Sequence, residues 1–301
     1  MNPKILTIIV SYNFMPWIDR CLGSLRHSGL KCDVMVVDNH SSDATVETIK
    51  SRYPEVRLVE NKENKGFGAA NNQGIEVAMR ESYEGVLLLN QDAWISENTM
   101  QTLVETAQLE PDAGIVSPVH MNGNGDKMDY GFKTYVGCDN VSQLPPKAFE
   151  VEFVNAAVWY IPINTFKRIG MFAPIFYHYG EDKDFVNRLH YHGLKVYVSP
   201  ECTACHDREH RQVTDAQMLR GEYVYHLTRL TDVNGKMWTS NSLVINSLQV
   251  VFKAFKLLFK GRFSLATSML GIVPKLAAKS CAAHHHRKKF RKKDFFSINT
   301  Q

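Results

Sequence analysis

Three segments of this sequence carry residue types and spacings that could do chemistry. The first is Tyr179-Gly180-Glu181-Asp182-Lys183-Asp184-Phe185, running into Val186-Asn187-Arg188-Leu189. Acids followed by apolar residues at helical spacing mark the start of a helix, where the backbone dipole favours carboxylates. One acid there would serve as a cap. The adjacent pair Glu181 and Asp182, beside Tyr177, His178 and Tyr179, also suits proton abstraction from a hydroxyl as it becomes a nucleophile. The second segment is Leu89-Asn90-Gln91-Asp92. An acid at the end of a buried strand can be a turn residue, or it can hold a hard cation such as Mg²⁺ or Mn²⁺. Such ions take one or two protein carboxylates, with phosphate and water completing the shell. A cation there would neutralise charge on a departing nucleoside diphosphate. The third segment is Asn64 to Gly74, whose glycines ahead of a helix let backbone N–H groups approach phosphate. It follows the third strand rather than the first and lacks a third fingerprint glycine, which makes a dinucleotide-binding dehydrogenase a poor fit.

The surrounding elements must bring these segments together. Apolar runs at Ile5 to Ser11, Asp33 to Asp38 and Val56 to Val59 read as strands, with helical spacing between them. Alternation of this kind builds βαβ units and a mostly parallel sheet. A helix is expected from about Phe67 to Glu81, followed by the buried strand Gly85 to Leu89, and another helix over 96–109. Polar clusters Ser11-Tyr12-Asn13, Asp38-Asn39 and Asn90-Gln91-Asp92 each follow an apolar run. In such sheets ligands sit beyond the carboxyl ends of the strands, so the clusters imply one shared crevice. Residues 120–150, rich in Gly, Asn, Asp and Pro, read as a long loop region.

Taken in order, these segments resemble a family 2 glycosyltransferase of the GT-A fold, in the bacterial rhamnosyltransferase-like branch. The resemblance rests on Ile9 to Asn13, Val36 to Asn39 with Ser41 to Thr45, Asn64 to Gly74, Leu88 to Asp92, Phe153 to Ala156, Tyr179 to Asp184 and Gly193 to Val196. It implies an α/β GT-A-like catalytic domain over 1–235, with a mostly parallel central sheet flanked by helices. It further implies transfer from a nucleotide-diphosphate sugar to a glycan or lipid-linked acceptor, with inversion by direct displacement. The implied donor-binding set is Ser11, Tyr12, Asn13, Asp38, Asn39, Gly66, Asn71, Asn90 and Gln91, with Asp38 on the nucleoside. Asp92 matches the last acid of the metal-binding D-x-D motif, whose first acid is Asn90 here. His206 falls where similar enzymes carry a histidine near the metal and diphosphate. Asp182, paired with Glu181, matches the acceptor-activating base. Ala156-Ala157 stands where Gly-Ala is usual, and Phe172-Ala173 where Phe-Asp is usual; both departures bear on the acceptor.

The tail points elsewhere. The chain carries +4 overall, but residues 241–301 hold twelve Lys/Arg against Asp294 alone, leaving the first 240 residues at −7. Val244, Leu248, Val251, Phe252, Phe255, Leu258 and Phe259 form one helical stripe, with Lys253, Lys256 and Lys260 on another face. Residues 236–301 therefore read as a basic amphipathic extension lying on an anionic membrane surface, or docked on the catalytic domain. His284 to Lys289 reads as a solvated basic tail, and no nucleic acid is expected as a partner. With 44% apolar and 22% charged residues the chain reads as globular. It lacks an uninterrupted apolar run of ~18 residues and an export-signal pattern. The expected location is cytoplasmic, peripheral at the inner face of the cytoplasmic membrane. The six cysteines are then expected as thiols, and Cys202-Thr203-Ala204-Cys205-His206 as neither haem nor zinc site. A sugar-phosphate nucleotidyltransferase would need a Gly-rich basic loop where Ser11 to Phe14 stands. A decayed, non-catalytic scaffold would not be expected to keep Asp38, Asp92 and Asp182 together.

Overall fold

The structure, a computed structural model, describes residues 3–208 and 214–292. Strand β1 (Ile5–Ser11) leads through α1 (Ile18–Arg26) to β2 (Asp33–Asp38), α2 (Thr45–Arg52), β3 (Arg57–Glu60), α3 (Phe67–Arg80) and β4 (Gly85–Leu89). These strands pair in parallel in the order β3-β2-β1-β4. Their period-two pattern serves two cores. Leu6 and Ile8 of β1 pack with α3, while Ile5 and Ile9 pack with α1 on the other face. With both faces covered, β4 is apolar and buried along its whole length.

The chain continues through β5 (Ala93–Ile95), α4 (Thr99–Leu109), β6 (Ala113–Asn122), α5 (Tyr130–Val136), β7 (Phe149–Val151), β8 (Val158–Pro162), α6 (Ile163–Ile169), α7 (Glu181–Tyr191) and β9 (Lys195–His206). The sheet extends as β4-β8-β6-β9-β5, with β7 also on β9. This half is mixed: β8 runs antiparallel to β4 and β6, β6 and β9 are parallel, and β5 and β7 run antiparallel to β9. The expected loop over 120–150 holds more order than its composition suggested. Asp129 caps α5 by accepting from the Phe132 N–H (2.9 Å), Phe132 is fully buried, and Gly137 ends the helix in the left-handed region.

Beyond the sheet lie α8 (Asp215–Thr231), α9 (Thr239–Phe259), α10 (Phe263–Leu270) and α11 (Ile272–Phe290). They share a third core in which Leu227, Val250, Ala254, Met269 and Leu276 meet Ala173 and Phe176 of the preceding domain. The solvated tail expected over His284 to Lys289 is in part an internal contact. His286 and Arg287 are buried, and His286 Nε2 lies 2.7 Å from Asp184 Oδ1 in α7. Docking uses Val250 and Ala254, so the opposite stripe of α9 stays open: Leu248 is 62%, Phe252 61%, Phe255 55% and Phe259 87% exposed. At 21 residues and a mean hydropathy of 1.4 over its most apolar window, α9 is long and apolar enough to cross a membrane.

Candidate active site

The carboxyl ends of β1, β2 and β4 open on a cleft of about 670 Å³. Of the residues expected there, Ser11, Tyr12, Asn39, Asn90, Gln91, Asp92, Glu181, Asp182 and His206 line it. Asn13, Asp38, Gly66 and Asn71 do not. Asp38 is buried behind the wall, accepting from Ser11 Oγ (2.8 Å), Ser41 N–H (2.9 Å) and Ser41 Oγ (2.5 Å). Asn13, with φ 55°, receives the Ser42 N–H on Oδ1 (2.9 Å) and so braces the same loop. Asn71 is interior and donates to Phe67 O within α3 (3.0 Å). Ser11, Asn13 and Asp38 thus hold the floor of the cleft in shape.

Gly66 permits a close backbone approach. At φ 82°, a Cβ there would come within 2.0 Å of Tyr177 O, so only glycine lets the Tyr177 loop close on α3. Tyr177 Oη also donates to Asn64 O (2.8 Å). This closure delivers the first turn of α7 to the cleft, starting at Gly180 (φ 89°). Inside α7, Arg188 donates from Nε to Asp184 Oδ2 (2.9 Å) and from Nη1 to Ile169 O (2.7 Å), all of it buried. Burial pushes the Asp184 carboxyl up, but the charges of Arg188 and His286 outweigh it and hold it below the usual carboxylate range.

The two candidate bases differ in exposure. Glu181 is 5% exposed with Oε2 unpartnered, and burial pushes its carboxyl up to about 7, with the Asp182 charge adding to the rise. Asp182 is partly open to the cleft, and Oδ1 accepts the Lys183 N–H (2.7 Å). Burial raises its carboxyl too, opposed by backbone N–H groups. A carboxylate raised by burial that still reaches the cleft is a stronger base toward a hydroxyl proton than an ordinary one.

Across the cleft, β5 runs antiparallel to β9 with Ala93 opposite His206. That register sets Asp92 beside the end of β9, with Oδ1 3.4 Å from His206 Nε2. A carboxylate oxygen and a ring nitrogen this close can share one cation. Among the described residues no group of three or more His, Cys, Asp or Glu forms a complete metal site. Two protein donors with an open remainder fit Mg²⁺ or Mn²⁺ completed by phosphate and water. Behind them His120 is fully buried, and burial with the neighbouring His206 drives its imidazole down to about 3, so it is neutral. Cys202 and Cys205 lie on β9 as free thiols, Cys202 pushed up to about 12 by burial.

The sequence reading missed Asn155, Tyr135 and Arg208, which also line the cleft. Arg208, bonded to Asp129 (3.1 Å), is the cation nearest the Asp92–His206 corner in sequence, two residues beyond His206. Its signal was a basic residue two positions past His206, at the end of the long strand β9.

This architecture is that of GT-A glycosyltransferases. The S. aureus TarS 1-349 structure in complex with UDP-GlcNAc superposes with a TM-score of 0.57 at 15% identity, covering 94% of this chain and 89% of that one. The Pyrobaculum calidifontis mannosyltransferase PcManGT, in complex with GDP-Man and Mn²⁺, gives 0.56 at 17%, covering 93% and 88%. The sequence profile of Glycosyl transferase family 2 matches residues 7–176, more than half of the chain, which therefore belongs to that family. The Mycobacterium tuberculosis N-acetylglucosaminyl-diphospho-decaprenol L-rhamnosyltransferase is 24% identical over 240 residues, 70% of this chain and 78% of that protein.

Proposed function

We propose that the protein transfers a hexose or deoxyhexose from a nucleotide-diphosphate sugar to a hydroxyl of a lipid-linked glycan, with inversion. The observation that carries this reading is one cleft with a raised, accessible carboxylate, Asp182, on one side and the Asp92–His206 pair on the other. Asp182 takes the acceptor proton as the hydroxyl oxygen bonds to the anomeric carbon. The bond from that carbon to the diphosphate breaks on the opposite face, and the nucleoside diphosphate leaves with the electron pair. Asp92 and His206 would hold Mg²⁺ or Mn²⁺, which supplies charge neutralisation to the leaving diphosphate. Arg208 adds a second positive charge to the same group. Gln91 fixes Tyr12 by exchanging hydrogen bonds with its backbone (2.8 and 3.1 Å) and so shapes the nucleoside end. Ala156, lining the cleft at the acceptor departure noted above, bounds the sugar.

The open apolar stripe of α9, flanked by Lys256, Lys260 and Arg262, supports a peripheral position on an anionic membrane, where a lipid-linked acceptor resides. Facing a cytoplasmic nucleotide-sugar pool, that membrane would be the inner face of the cytoplasmic membrane. The test is a thermal-shift titration of nucleoside diphosphates with and without Mn²⁺. A ligand at 100 times its Kd adds about 2.7 kcal/mol of stability. A shift with one nucleotide that strengthens with Mn²⁺ is expected. Asp182→Asn should keep that shift and lose sugar transfer by about 10²-fold or more. No shift with any nucleotide, or full transfer by Asp182→Asn, would overturn the reading.

A further inference from the structure

Asp182 borders a second cavity. Besides the donor-side cleft, it lines a pocket of about 390 Å³ between α7 and α8, with Lys183, Asn187, Gly221, Tyr225 and Arg229 among its walls. A direct displacement places the acceptor hydroxyl beside the base and against the anomeric carbon, on the face opposite the leaving diphosphate. A carboxylate bordering both cavities can take that proton where an acceptor held in the second one enters the donor cleft.

The second pocket is lined by two cations, Lys183 and Arg229, and two acids, Asp182 and Asp232. Arg229 Nη1 meets only neutral groups, Gln249 Oε1 (2.7 Å) and Tyr225 Oη (3.3 Å). The Lys183 ammonium lies over the Phe153 ring (4.6 Å). Among the described residues neither forms an ion pair with a carboxylate. The second acid of the lining, Asp232, three residues after Arg229 at the end of α8, has Oδ1 occupied by the Asn234 backbone N–H (2.9 Å) and amide (3.1 Å). Gln249, which Arg229 touches, follows Leu248 on α9, so the rim adjoins the helix whose apolar stripe is open. A pocket of this size holds a small polar head group. Two unpaired cations suit phosphate, and the adjoining apolar helix suits a hydrocarbon chain.

We propose that the α7–α8 pocket is the acceptor site, and that Arg229 and Lys183 bind the phosphates of a lipid diphosphate while its sugar hydroxyl reaches Asp182. This rests on the transferase reading and adds the acceptor's route and the residues that select it. Gly221 offers an independent probe. A Cβ there would meet no atom within 4 Å, so a larger side chain can enter the pocket without a clash.

Farnesyl diphosphate serves as the probe, titrated into the full chain with the donor cleft saturated by the nucleoside diphosphate and Mn²⁺. Wild type should bind it, with farnesol at least tenfold weaker and inorganic pyrophosphate also weaker. The variants Arg229→Gln with Lys183→Gln, and separately Gly221→Leu, should each weaken it at least tenfold. The nucleotide thermal shift, which reads the other cleft, should stay as in wild type. Equal farnesyl diphosphate binding by wild type and both variants, or none by wild type, would overturn the proposal. Farnesol binding as tightly as the diphosphate would overturn the phosphate role. Loss of the nucleotide shift in wild type would strike the transferase reading alone.

Discussion

Replacing Arg188 by methionine tests how the extension and the catalytic helix depend on each other. Arg188 and Asp184 are fully buried, and His286 of α11 closes the far side of the same carboxylate at 2.7 Å. The Arg188 guanidinium also lies over the rings of Phe290 (4.3 Å) and Phe185 (5.1 Å). Methionine keeps much of the volume but leaves the Asp184 carboxylate facing His286 alone. Stranding one member of a buried pair costs about 3–5 kcal/mol. At about 2 °C per kcal/mol for a chain of this size, Tm should fall by roughly 6–10 °C. The deficit has a defined pH dependence. Asp184 is held below the usual carboxylate range in the native protein, so its contribution is present above the unfolded value and is lost as pH falls through the folded one. Without Arg188 the buried acid can take up a proton more readily. The gap between variant and wild type should therefore be widest at neutral pH and narrow toward about pH 4. Adding Asp184→Leu should restore most of the loss, because an apolar replacement of a whole buried pair is often neutral. Urea unfolding of wild type, Arg188→Met and the double variant, at pH 7 and near pH 4, measures all of this. A loss under about 1 kcal/mol, or no rescue by the second substitution, would show that the pair does not hold α7.

Two further outcomes follow from the same geometry. Glu181 titrates at about 7 when folded against an ordinary carboxylate when unfolded, so the native state holds its proton longer. Stability should therefore fall by about 3 kcal/mol as pH rises from about 4.5 to 7 and then level off; Glu181→Gln should remove that slope in urea midpoints, and an unchanged slope would place the titration elsewhere. Changing Phe252, Phe255 and Phe259 together to glutamate should abolish sedimentation with anionic vesicles and leave Tm within a few degrees, since all three are exposed; sedimentation equal to wild type would remove the stripe from membrane binding. Point substitution is the proper instrument here, because truncation at the start of the extension would strip Val250, Leu276 and Phe290 from the third core.

What the sequence made legible follows from where its signals are local. Each strand of the parallel half is a short apolar run ending in a polar cluster, and that alone placed Ser11, Asn39, Asn90 and Asp92 on one edge. The Asp92–His206 corner came from the family resemblance and not from local signals. It depends on β5, three residues long, finding β9 across about 110 intervening positions, a non-local pairing that no periodicity announces. Asp38 was legible as a sheet-edge acid, but its saturation by Ser11 and Ser41 turns on side-chain geometry. The extension shows the same limit from the other side. Its α9 stripe was visible as spacing, yet His286 sits in a run of basic residues that reads as solvent-exposed. Its inward turn is set by Asp184, a buried charge created by the catalytic helix. The acid cluster that begins α7 therefore serves two ends. Asp182 lines both the cleft and the α7–α8 pocket, and Asp184, two residues on and so across the helix, contacts His286 of the C-terminal helices. The first turn of α7 is thus tied to the C-terminal helices through Asp184 and His286, and the third core joins residues on both sides of position 235.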